Sequence, residues 1–246
     1  MQKGLWISGV FALLASFALD VSTLRSGTTS EPRTGFESQP ALGPMVWSAD
    51  MRFLAFTNSD RAGLSILELE SGQLWPVSRA RGAGFRPLWR EHRLYFKEVL
   101  THGAGDESLQ QIVCFDVHLN ERFVIQQGPR LGEPSLVPGS TTMVWTEDRF
   151  LVQAELGEQD GLPRNLKRQA LPGYSNIVEL DPAGQRVAFS HADGRVGVIA
   201  LESGAVFWLT DPGAYAHPRW SADGALLLIR GPGRAAVLAQ RKSRAL

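Results

Sequence analysis

HPRWSADGALLL occupies residues 217–228, and GPMVWSADMRFLAF occupies residues 43–56. The same Trp-Ser-Ala-Asp phrase therefore begins at Trp47 and again at Trp220, each time followed by a run of apolar residues. A third copy, LDPAGQRVAF, starts at Leu180, and weaker ones, WREHRLYF and VPGSTTMVW, start at Trp89 and Val137. These anchors are 42, 48, 43 and 40 residues apart, and a steady period in this range marks a repeat architecture. The second half of the unit recurs as well. GLSILELESGQLWPVS (residues 63–78) matches GRVGVIALESGAVFWLT (residues 194–210), with Leu-Glu-Ser-Gly in both. Each unit then divides into four strands, A to D, with A ending at the Trp position and B formed by the apolar run.

The physical chemistry of the phrase supports that division. Ser and Asp after strand A hydrogen-bond nearby backbone and nucleate a turn. Gly184 and Gly224 supply positive φ, and Met51 holds the same place in the first unit. Asp50, Asp181 and Asp223 recur at these turns, and Trp47, Trp89 and Trp220 recur as residues packed between units. Strand B reads as a nearly continuous apolar run, the pattern of a strand covered on both faces. Four-stranded units at this period pack radially as blades of a β-propeller. The chain has 25 Gly, 14 Pro and 7 Trp in 246 residues, and no long amphipathic helical pattern competes with an all-β reading.

The W-S-A-D-G phrase, a B strand ending in Ala-Phe, and L-E-S-G before strand D resemble the WD40-like repeats of TolB-type periplasmic propellers. The resemblance covers residues 45–246 and is good in units one, four and five and poor in two and three. It implies a non-enzymatic scaffold for protein–protein contact in the cell envelope, with no catalytic residues and no cofactor. About five blades are expected, with repeats starting near residues 45, 87, 134, 177 and 217. The last unit is short of a D strand, so a strand from the N-terminal region, residues 19–25 or 34–40, is expected to complete it.

Residues 1–18, MQKGLWISGVFALLASFA, have a positive start, a short apolar stretch and a small-x-small ending, so a signal peptide cleaved after Ala18 is expected. The apolar run is shorter than the roughly 20 residues that span a bilayer, and an uncleaved anchor is the alternative. Residues 19–44 read as an arm or linker. These readings place the protein in the periplasm or outside the cell, as a monomer. Cys114, in QQIVCFDV, is the one cysteine and reads as a buried strand residue.

Lys plus Arg and Asp plus Glu both total 25, so no basic excess points to nucleic acid. The five His show neither H-x-H nor H-E-x-x-H spacing, so a metal site has no local support. The recurring aspartates belong to separate turns, whereas glycosidase acids must face one another across the sugar. RGAGFRP (residues 81–87) reads as an inter-blade loop. Arg79, Arg81 and Arg86 cluster there and Arg130 sits in the next such loop, so a locally basic rim is expected to meet an acidic protein partner. His217, before Pro218, stands where a loop enters strand A and could contact a ligand. Residues 100–110 lengthen the B–C loop of the second unit. The competing functions are a channel-mouth ligand- or carbohydrate-binding propeller, glycosidase-like, and a membrane-anchored sensor.

Overall fold

The computed structural model describes residues 42–239 except 59–61, 101–108, 138, 214–215 and 232–233. The expected signal peptide, the arm to residue 41 and the closing strand lie outside the described residues. Those described form nineteen strands and no helix. Unit 1 comprises β1 (Leu42–Trp47), β2 (Phe53–Asn58), β3 (Ala62–Glu68) and β4 (Leu74–Arg81). Unit 2 comprises β5 (Leu88–Arg90), β6 (Arg93–Leu100), β7 (Leu109–Asp116) and β8 (Glu121–Gly128). Unit 3 comprises β9 (Ser135–Leu136), β10 (Thr142–Glu147), β11 (Phe150–Leu156) and β12 (Pro163–Ala170). Unit 4 comprises β13 (Val178–Leu180), β14 (Arg186–Ser190), β15 (Val196–Ala200) and β16 (Val206–Trp208). β17 (Ala216–Trp220), β18 (Leu226–Gly231) and β19 (Arg234–Ala239) form unit 5. Every unit is an antiparallel meander, and units 1 and 2 are joined into one sheet by the single pair Arg81↔Val99.

The repeated turn explains the A–B corners of units 1, 4 and 5. Ser48 Oγ donates to Asp50 Oδ1 at 2.6 Å, and the same oxygen accepts from the amide of Phe53 at 2.9 Å. Ser221 and Asp223 repeat the bond at 2.5 Å. Gly184 and Gly224 have φ of 68° and 67°, and Met51 adopts 61° in the same place. For an L residue that conformation costs about 1–2 kcal/mol. Asp181 closes its turn in another way. It stands directly after Leu180, at the place of Ser48, and its carboxylate alone accepts from the amides of Gln185 (2.7 Å) and Arg186 (3.0 Å).

Packing between units is also periodic. Trp89 Nε1 donates to the Val46 carbonyl at 2.9 Å, and Trp220 Nε1 donates to the Glu179 carbonyl at 3.0 Å. Each indole thus ties its strand A to strand A of the preceding unit. Apolar faces fill the gaps: Phe53, Leu64 and Ile66 of unit 1 pack on Leu94, Phe96 and Val113 of unit 2. Val144 and Leu151 of unit 3 pack on Val187, Phe189 and Ile199 of unit 4. Units 2 and 3 add a polar latch, in which Arg90 Nη1 and Tyr95 Oη donate to the carbonyls of Gly157 (3.2 Å) and Gly161 (2.9 Å). Cys114 lies fully buried behind this latch, and burial pushes its thiol up to about 12, although the neighbouring Tyr95 hydroxyl pulls the other way. Sheets stacked side by side through their faces, with each strand A innermost, produce a β-propeller.

Candidate functional site at the propeller hub

The connectors from each strand D to the next strand A converge where inner strands of distant units meet. Arg86 precedes β5 of unit 2, yet its Nη1 donates to the Val178 carbonyl of unit 4 at 3.3 Å and its Nη2 pairs with Glu179. Phe85 lies with its ring 6.0 Å from that of His217, in unit 5. Contacts from unit 2 to units 4 and 5 occur only at a hub.

A chain of polar groups runs through this hub. Lys97, on β6, directs its ammonium to Glu133 Oε1 at 2.9 Å, to the Leu131 carbonyl at 3.0 Å and to Asn176 Oδ1 at 2.9 Å. Tyr174 Oη donates to the same Asn176 oxygen at 3.3 Å. Lys97 and Glu133 are buried while Asn176 is exposed, so the ammonium lies just under the surface. Glu179 is also paired with Arg219 at 3.1 Å. Burial raises the Glu133 carboxyl above its ordinary value, although Lys97 and Arg86 pull the other way. Burial, reinforced by the Glu133 charge, also raises the Tyr174 hydroxyl.

Two atoms at this hub lack the partners that buried polar groups normally have. Arg86 Nε, a donor, and Glu133 Oε2 are both buried without a hydrogen bond. The charge of Arg86 also acts on Glu133, opposing the effect of burial on that carboxyl. Arg86 Nε can donate one hydrogen bond and Glu133 Oε2 can accept one.

The residues anticipated from sequence are dispersed. Arg86 is buried at the hub, whereas Arg79 and Arg81 are exposed on β4. Arg130 is exposed and pairs with Asp148 at 3.6 Å. These arginines therefore do not form one exposed basic face. His217 is exposed at the start of β17, with φ of 56°. Asp50, Asp181 and Asp223 sit at the A–B corners, at the opposite ends of the inner strands from Arg86 and Glu133. Hydrogen bonds from Ser48 and Ser221 hold Asp50 and Asp223 below the ordinary carboxylate value, as a turn role requires. Trp89 is buried and stacks on Phe53 at 5.9 Å, while Trp47 remains 37% exposed. Lys97, Glu133, Tyr174, Asn176, Glu179 and Arg219 were not anticipated. The signal for two of them is a charge inside an apolar run: Lys97 in LYFKEVL and Glu179 in IVEL.

No family model matches the chain, and no curated protein matches it. Among solved structures it is similar to an oligogalacturonate lyase in complex with manganese, at 16% identity and a TM-score of 0.55, over 78% of this chain and 59% of that one. It is equally similar to an oligogalacturonate lyase from Vibrio parahaemolyticus, at 15% identity and a TM-score of 0.55, over 81% of this chain and 63% of that one. The chain thus spans about three-fifths of the length of each. At such identity the likeness shows the fold, a β-propeller. Both neighbours are enzymes, and they overturn the expectation of a non-enzymatic scaffold for protein contact. Among the described residues, no group of three or more His, Cys, Asp and Glu is placed to hold a metal ion.

Proposed function

We propose that this chain is a carbohydrate-active propeller of five blades, built on TolB-type repeats, that takes an acidic oligosaccharide at the hub. The observation that carries the reading is that two buried hub atoms, Arg86 Nε and Glu133 Oε2, are without a hydrogen-bond partner. The oligogalacturonate lyases of the same fold support the substrate class. Arg86 offers a cation to a sugar carboxylate, which acidifies the neighbouring C–H. Glu133 and Lys97, 2.9 Å apart, form an acid–base pair that can accept that proton. The C–O bond to the leaving sugar then breaks, its oxygen takes a proton back, and an unsaturated uronate remains.

The test is incubation with oligogalacturonate, followed by ultraviolet absorbance of the conjugated product and by calorimetric binding. Binding that Arg86→Met abolishes, with product formed by the wild-type protein alone, is the expected result. Absence of both binding and product across a panel of polyuronates overturns the reading.

A further inference from the structure

Between units 3 and 4 a cavity of about 190 Å³ opens beside the outermost strand, β12, lined by Leu151, Gln153, Lys167, Arg168, Gln169 and Leu201. A single water needs only about 10–15 Å³. Strand register explains the lining. Gln153 pairs with Lys167 and Leu151 with Gln169 across β11 and β12, so these four side chains share one face of the sheet. Leu151 belongs to the core shared with unit 4, and Leu201 packs against that same core, so the face looks across the gap between units. The C–D turn of unit 4 bounds the cavity. There a Cβ on Gly204, which has φ of 73°, would lie 2.7 Å from Gln169 Nε2.

The polar groups facing this cavity are unspent. Among the described residues, Lys167, Gln153 and Gln169 have no side-chain hydrogen bond or ion pair. Arg168, by contrast, is engaged by Glu147 at 2.5 Å. The lining contains no carboxylate. One ammonium and two amides over a leucine floor match a small molecule with a carboxylate, hydroxyls and an apolar face.

We propose that this cavity is a second binding site, for a single carboxylated sugar unit, with Lys167 on the carboxylate and Gln153 and Gln169 on the hydroxyls. It does not rest on the hub reading. The probe is galacturonate, titrated into the full-length protein and followed by amide chemical shifts, with galactose as control. Shifts confined to β11, β12 and residues 201–205 are expected, absent with galactose and unchanged in Arg86→Met. Lys167→Glu and Gln153→Leu are each expected to weaken binding about tenfold or more, the value of one charge-assisted or buried hydrogen bond. Lysines on an edge strand also guard against strand addition. If Lys167→Glu produces self-association but leaves the titration unchanged, or if galactose shifts the same amides, the proposal is overturned. Absence of any shift with galacturonate overturns it as well.

Discussion

Arg86→Met removes the guanidinium and keeps an apolar stem of similar length, so the cavity contribution is small. Arg86 and Glu179 have side-chain exposures of 7% and 14%, so their pair is nearly dry. Breaking a buried pair by removing one partner costs about 3–5 kcal/mol when the surviving charge is abandoned. Glu179 is not abandoned, because Arg219 Nη1 remains at 3.1 Å. Glu133 likewise keeps Lys97 at 2.9 Å. The expected loss therefore falls to about 2–3 kcal/mol, including the bond to the Val178 carbonyl. Glu179→Gln should cost a similar amount, since it strands a buried cation. The two together should cost about 1–2 kcal/mol less than their sum, because neither charge is then left alone. Urea unfolding followed by tryptophan fluorescence measures all three, with the denaturant slope checked for constancy. A loss below about 0.5 kcal/mol for Arg86→Met, or strict additivity in the double variant, refutes the hub cross-link.

The backbone offers a matched pair of tests. Met51 has φ of 61° and is 56% exposed, so Met51→Gly relieves strain with little lost packing. The net gain should be about 0.5–1 kcal/mol after the added freedom of the unfolded chain. Gly184→Ala meets no atom within 4 Å but has φ of 68°, so its cost of about 1 kcal/mol is conformational, and both changes are read in thermal unfolding. Asp116 gives a pH test. Burial alone would raise its carboxyl, but the amides of Leu119 and His118 and the charges of His92 and Arg93 hold it below the ordinary 3.8. A depressed folded value means that its contribution is complete above the unfolded value and is lost as pH falls through the folded one. Asp116→Asn should lower stability at neutral pH and flatten the acid limb of the stability curve. An acid limb identical to wild type counts against that role.

The fold was legible because its devices recur. A turn is needed in every unit, so Ser48–Asp50 and Ser221–Asp223 appear as a phrase, and the indoles of Trp89 and Trp220 make the same inter-unit bond. Asp181 shows how the phrase varies. One carboxylate in the serine place does the work of a serine–aspartate pair. The hub was not legible because its members never recur and are far apart in sequence. Arg86 meets Glu179 across 93 residues, and Lys97 meets Asn176 across 79. No local spacing encodes such pairs. Lys97 and Glu179 did announce themselves as charges within apolar runs, a pattern that a search for metal or nucleophile motifs passes over.

The repeat fixes positions at the hub without fixing identities. Arg86, Glu133, Asn176 and His217 come from four successive passages from a strand D into the next strand A, and the chain places a different chemistry in each. The A–B corners of units 1, 4 and 5 do the reverse, returning to Ser or Asp where the turn closes. Stability alone does not ask for ions at the hub, since well-packed apolar residues often replace a buried ion pair without loss. A buried donor and a buried carboxyl oxygen that each lack a partner are costlier still. The hub therefore carries an electrostatic cost that the corners avoid, and a ligand hydroxyl or carboxylate bound there would offset it. The Arg86→Met and Glu179→Gln cycle separates the two explanations, because it measures what the charges contribute when no ligand is bound.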